Sequence, residues 1–166
     1  MGPICMNVVN GLPPAAERVR QALEVLDLGA SIRVMPATTR TAEDAAVACG
    51  CPVGAIVKSL IFRGRESGRP LLFLVSGTNR VNEKGAAAYV GEPITRPDAA
   101  FVREATGYAI GGIPPVGHDT PLVPYLDADL LQYGTVWAAA GTPTAVFAVD
   151  PARLRDATGA VVVDVK

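Results

Sequence analysis

Seventeen glycines and fourteen prolines are scattered along a chain of 166 residues. Proline fixes φ and removes a backbone donor, and glycine frees the backbone, so each interrupts regular structure. At this density the chain must be assembled from many short elements. The apolar residues between the interruptions say which kind each is.

Pro13 to Leu28 reads as a helix, with Val19, Leu23 and Leu26 at three- and four-residue steps, Pro13 and Pro14 at the start and Gly29 at the stop. Ser31 to Met35 reads as a short strand. A second helix is predicted over Ala42 to Cys49, opened by Thr41 and Asp44 as a variant capping box. Ile56 to Arg63 and Pro70 to Ser76 read as strands joined by the polar turn Gly64 to Gly68, hence a hairpin. Helices are expected over Asn82 to Tyr89, Pro97 to Thr106 and Pro151 to Thr158, the last capped by Asp150. Strands are expected over Leu122 to Leu126, Thr135 to Ala139, Thr144 to Val149 and Ala160 to Val165. Hairpins mixed with helices, without regular βαβ alternation, predict an α+β fold with a mixed, mostly antiparallel sheet. The length suits a single domain, residues 1–166, that needs no disulfide or metal staple.

Charge and composition narrow the function. A net charge of -1 and a pI near 5.8 argue against wrapping along a duplex, so any nucleic-acid contact is expected to be local, and DNA is not an expected partner. No run of about 18 apolar residues is present and no basic, apolar leader opens the chain, which predicts a cytoplasmic protein without a membrane span. The three cysteines, Cys5, Cys49 and Cys51, do not make a zinc pattern and read as reduced thiols. His118 is the one histidine. Multi-histidine metal sites are therefore excluded, and an imidazole-based hydrolytic site could be built only around that residue.

Two segments could carry chemistry. In the strand Ile56-Val57-Lys58-Ser59-Leu60-Ile61-Phe62, alternation puts Lys58 on the face of Ile56, Leu60 and Phe62. An ammonium in an apolar face is costly without a partner or a task. An edge strand or a snorkelling side chain explains it as readily as a functional lysine does. The second segment, Gly107 to His118, holds four glycines and two prolines, a shaped loop that can offer backbone dipoles or simply connect two elements. Smaller candidates are Asn79 to Lys84, a polar turn and helix start, and Thr38, Thr39, Arg40 and Thr41 before the second helix. Asp127 and Asp129 read as helix-start residues.

Taken in order, these segments resemble the YbaK/ProX family of aminoacyl-tRNA editing proteins over roughly Thr38 to Val165. The anchors are Thr41 to Ala46, Ile56-Val57-Lys58-Ser59-Leu60, Gly77 to Lys84, Thr106-Gly107-Tyr108-x-x-Gly111-Gly112-Ile113-x-Pro115 with Gly117, the Asp127 and Gly141 region, and Leu154 to Asp164. The resemblance implies a mixed, partly barrel-like sheet flanked by short helices, related to the insertion domain of bacterial prolyl-tRNA synthetases. It implies hydrolysis of the ester that joins a wrong amino acid to the 3′ adenosine of a tRNA, often proline tRNA. No metal or organic cofactor is expected; the expected partners are the 3′ CCA end of a mischarged tRNA and an aminoacyl-tRNA synthetase.

The family's essential lysine falls on Lys58 and its Gly-x-x-x-Pro loop on Gly111 to Pro115. The expected catalytic set is Lys58, Gly111 and Gly112. The expected substrate contacts are Thr41, Ser59, Ile113, Pro114, Pro115, His118, Thr144, Ala145 and Val146. The chain departs from the pattern at Pro114, where relatives often have serine, and at Thr144 to Phe147, where some carry an acidic residue. The alternative reading is a module that binds a tRNA end or nucleotide without cleaving it.

Overall fold

Residues 11–35 and 41–166 are described by the structure, a computed structural model. In chain order they form α1 (Pro14–Val25), β1 (Ile32–Val34), α2 (Ala42–Cys49), β2 (Ile56–Gly64), β3 (Pro70–Ser76), α3 (Glu83–Val90), β4 (Ile94–Thr95), α4 (Ala99–Thr106), β5 (Tyr125–Asp127), β6 (Val136–Ala139), β7 (Ala145–Val149), α5 (Pro151–Thr158) and β8 (Val161–Val163). Short 3-10 helices occupy Val53–Ala55 and Ala128–Gln132. Thr38, Thr39, Arg40 and Cys5 lie outside the described residues.

The strands form one mixed sheet in the order β1-β7-β6-β2-β3-β5-β8, with β4 beside the far end of β2. Pairings β2–β3, β2–β4, β6–β7 and β1–β7 are antiparallel; β2–β6, β3–β5 and β5–β8 are parallel. The α+β class and the mostly antiparallel sheet agree with the sequence. The sheet does not close into a barrel: β1 and β8 are its ends.

Helices cover both faces because strand alternation makes both apolar. On one face Val57, Ile61, Leu72, Leu74 and Phe147 meet Ala16, Val19 and Leu23 of α1, Val102 of α4 and Leu154 of α5. On the other, Phe62, Phe73 and Val75 pack on Ala86 and Val90 of α3, and Ile56 packs on Ala45 and Ala46 of α2. Full burial of residues such as Phe73, Phe147 and Leu74 contributes about 1.5–3 kcal/mol each.

The hairpin forms as expected, in register from Val57 opposite Ser76 to Arg63 opposite Pro70. The caps do too: Thr41 Oγ1 accepts from the Asp44 amide at 3.0 Å, and Asn82 and Asp150 cap α3 and α5. The differences lie at element ends. Helix α1 stops at Val25, before Gly29, because Asp27 takes a positive φ of 55° and Leu28 N–H returns to the Leu23 carbonyl. That arrangement buries Leu28 beside Leu23. Strand β5 begins only at Tyr125, since Pro121 and Pro124 have no N–H to give the ladder. Strand β8 ends at Val163, and the Val165 carbonyl turns to accept from the Asn82 amide. Strand β4 has two residues, too few for any periodic signal.

Glu92, in the turn between α3 and β4, ties the hairpin turn. Its carboxylate accepts from the Glu66 and Ser67 amides, each at 2.9 Å, and from Arg69 Nε at 3.3 Å. The Ser67 backbone bond is the leading reason that its pKa falls from an ordinary 4.5 to about 2. A depressed folded-state pKa gives stability that is present above the unfolded value and lost as pH falls through the folded one. Wild-type stability should therefore decline between about pH 4.5 and 2, and Glu92→Gln should flatten that decline, as read by denaturant unfolding across this window.

Candidate active site

Strand β2 is paired along its whole length on the β3 side but not on the other. There it meets β6 only at Ile56 and Val57, and β4 only at Arg63 and Gly64. From Lys58 to Phe62 no strand among the described residues lies alongside. The bond from Gly64 N–H to the Arg69 carbonyl sets the phase of the ladder. Even-numbered residues of β2 aim their backbone groups at β3; Ser59 and Ile61 aim theirs at the open edge. A cavity of about 500 Å³ fills this gap.

The cavity reaches both faces of the sheet around that edge. On the Lys58 face, Thr41, Ala45 and Cys49 of α2 line it together with Arg80, Trp137 and Val146. On the opposite face, Val57, Ile61, Val102, Ile113 and Ala138 line it, with Ile110 and Gly111 also in its wall. Among the described lining residues there is no carboxylate and no imidazole.

Lys58 is half-buried and donates from Nζ to the Asn79 carbonyl. Among the described residues no carboxylate forms an ion pair with it. Its pKa is lowered, first by burial and then by the nearby Arg80 guanidinium, against weaker upward pulls from Glu43 and Asp127. It is a cation with N–H groups to spare, facing an apolar cavity. Ser59 lies on the other face of β2; its Oγ is buried and makes no hydrogen bond to the described residues.

The loop after α4 is a braced hoop. Tyr108 Oη donates to the Gly117 carbonyl at 2.9 Å, and the Asp119 and Thr120 amides return to the Thr106 and Ala105 carbonyls. His118 Nε2 bonds the Pro114 carbonyl at 2.6 Å. Burial lowers the His118 pKa, partly offset by that bond. Gly111 takes a φ of 101° at the exposed tip, and Gly112 packs on the backbone of Thr142.

Of the residues singled out from sequence, Thr41, Lys58, Ser59, Gly111, Ile113 and Val146 line the cavity. Gly112, Pro114 and Pro115 are buried within the hoop, and His118 supports it from behind. Thr144 sits in the β6–β7 turn with its hydroxyl 3.4 Å from that of Thr142, and Ala145 is fully buried in the core. Sequence reasoning did not single out Cys49, Trp137, Val102 or Arg96 as cavity residues; each comes from a different element, and no local pattern joins them. Arg80 lies within the polar stretch Asn79 to Lys84, a smaller candidate in the sequence, and lines the cavity. Cys49 and Cys51 are free thiols, and burial pushes the Cys49 thiol up to about 11.

The fold and cavity define a small α+β domain in which half-buried Lys58 and a glycine-rich loop line one cavity at an open sheet edge. The model of the aminoacyl-tRNA editing domain matches residues 36–157, so the chain belongs to that family, the YbaK-like editing proteins. An uncharacterized Bacillus subtilis (strain 168) protein, YwhH, is 31% identical over 121 residues, covering 72% of this chain and 75% of its own. A proline–tRNA ligase of Thermosipho africanus (strain TCF52B) is 34% identical over 88 residues, 52% of this chain but 15% of the ligase. A crystal structure of a proposed trans-editing enzyme for prolyl-tRNA synthetase superposes with a TM-score of 0.88 at 52% identity, covering 93% of this chain and 98% of that one.

The two loop glycines should respond differently to alanine. At Gly111 a Cβ would meet nothing within 4 Å, so only the positive φ opposes it, at a cost of about 1–2 kcal/mol. At Gly112 a Cβ would stand 2.7 Å from Thr142 Cα, against backbone that must move, at a cost of about 3 kcal/mol. Denaturant melts of Gly111→Ala and Gly112→Ala measure the order.

Proposed function

We propose that this protein is a trans-editing deacylase that hydrolyses the ester between a wrong, small amino acid and the 3′ adenosine of a tRNA, with proline tRNA as the substrate class. The observation that carries the reading is Lys58, a half-buried cation with no carboxylate partner among the described residues, lining one largely apolar cavity together with Gly111 and Ile113. Family membership supplies the editing function, and the likeness to a prolyl-tRNA ligase and to a proposed trans-editing enzyme for prolyl-tRNA synthetase supports the choice of tRNA. A synthetase as docking partner and the cytoplasm as the site of action follow from the same reading.

In this mechanism the terminal aminoacyl-adenosine enters at the open edge of β2. The Lys58 ammonium donates to a phosphate or ester carbonyl oxygen, and the backbone of Gly111 to Pro115 cradles the ester, with Gly112 holding the loop against Thr142. Thr41 and Ser59 add hydroxyl contacts. Pro114, Pro115 and His118 fix the loop path, Val146 of β7 forms pocket wall, and Ala145 and Thr144 support it from the core and from the β6–β7 turn. A water oxygen bonds to the ester carbon, the bond from that carbon to the ribose oxygen breaks, and the water's proton ends on the ribose hydroxyl. Donors fixed in a dry site are worth about 100- to 1000-fold each. With no carboxylate or imidazole among the described lining residues, the proton acceptor is water or the substrate itself, and a substrate thiol could serve as nucleophile. Apolar walls at Val102, Ile113 and Val146 select by size: one methylene is worth about 1–3 kcal/mol, so the pocket excludes large groups better than it ranks small ones.

The same lack of a carboxylate or imidazole among the described lining residues is what favours the rival reading, a module that holds the tRNA end without cleaving it. Multiple-turnover assays on a panel of mischarged tRNAs separate the two. Wild type should deacylate at least one small mischarged amino acid, and Lys58→Ala should lose about 100-fold or more in kcat/KM. Binding without turnover by wild type would establish the module. Full activity in Lys58→Ala would remove Lys58 from the mechanism.

A further inference from the structure

The Lys58 ammonium is held by a main-chain carbonyl, and that carbonyl is itself held. The Asn79 amide N–H bonds the Ser76 carbonyl at 2.9 Å, closing a tight turn after β3. Asn79 Nδ2 then donates to Asp127 Oδ2 at 2.9 Å and to Asp129 Oδ2 at 2.7 Å. Asp127 is 1% exposed at the end of β5 and also accepts from the Ser76 amide at 3.0 Å and the Asp129 amide at 2.9 Å. Asp129 is further paired with Lys166 at 3.1 Å. Rigid groups therefore hold the Asn79 side chain from the β5 side, while its carbonyl serves the cavity.

We infer that Asn79 is a positioning residue for Lys58: its side chain, clamped between Asp127 and Asp129, fixes its carbonyl where it orients the Lys58 ammonium into the cavity. This rests on the role given to Lys58 above. The neutral amide has two effects. It satisfies two carboxylates that would otherwise draw the cation to themselves, and it spaces Lys58 from them, so that the ammonium keeps N–H groups free for an anionic or carbonyl oxygen. Of the charged groups around Lys58, Arg80 disfavours its charge while Glu43 and Asp127 favour it. The carbonyl is the direct contact that holds its direction.

The test uses the chain's three lysines, Lys58, Lys84 and Lys166, which make a 13C-lysine NMR titration readily assignable. In Asn79→Ala the carbonyl loses its clamp and the two carboxylates lose the amide that separates them from the ammonium, so the Lys58 titration should shift from that of wild type. The kcat for deacylation should fall about 10- to 100-fold with KM within about twofold, as expected for a misplaced group. Thr78→Ala, whose hydroxyl reaches only Ser76 at 3.4 Å, should leave both readouts unchanged. A folded Asn79→Ala with a wild-type Lys58 titration overturns the inference. If that variant does not fold, the titration is read on Asn79→Ser, too short to span both carboxylates, and an unchanged Lys58 overturns the inference there. A shifted titration with no deacylation by wild type would sink the deacylase reading and leave the brace standing. Deacylation with an unshifted titration would do the reverse.

Discussion

The hydrogen bond from Lys58 Nζ to the Asn79 carbonyl joins the two parts of the molecule that must agree for the cavity to exist as it does. Lys58 belongs to the central strand, and Asn79 to the turn that follows its hairpin partner. A charge on an apolar strand face would ordinarily destabilise the fold or bend toward solvent. Here the carbonyl satisfies part of the ammonium, and the missing neighbour strand leaves room for it. Burial and Arg80 both disfavour its charged form, so an anionic ligand would relieve the site rather than compete with an existing partner.

The open edge of β2 follows from chain lengths. Strand β6 reaches only Val57 and β4 begins only at Arg63, so residues between them have no strand alongside. The gap lets α2 approach from one face and α4 with its loop from the other, each contributing apolar wall. The hoop from Gly107 to His118 is held by its own hydrogen bonds rather than by the cavity. Its glycines can therefore meet a ligand without the loop having to fold around it.

The alternation in Ile56 to Phe62, the hairpin turn and the helix caps were legible because each is a local pattern with its own physical cause. Lys58 could be singled out for the same reason: its face is readable from period two alone. The ends of α1, β5 and β8 were not, because they are set by Asp27 adopting a left-handed conformation, by Pro124 lacking a donor and by a long-range bond from Asn82 to Val165. The Asn79 brace was invisible for a related reason. Asn79 lies some fifty residues before Asp127 and Asp129 in sequence, and each alone reads as turn or cap chemistry. His118, which the family resemblance offers as a substrate contact, bonds the Pro114 carbonyl, a pairing that no spacing in the sequence announces.

A crystal structure with a non-hydrolysable 3′-aminoacylamino-adenosine would fix the place of the substrate end relative to Lys58. The ligand should sit at the open edge of β2, its aminoacyl group against Val102 and Ile113, with Lys58 Nζ in hydrogen-bond contact with a ligand oxygen while still bound to the Asn79 carbonyl. A ligand bound away from this edge, or one in the cavity that Lys58 does not touch, would contradict the role given to Lys58.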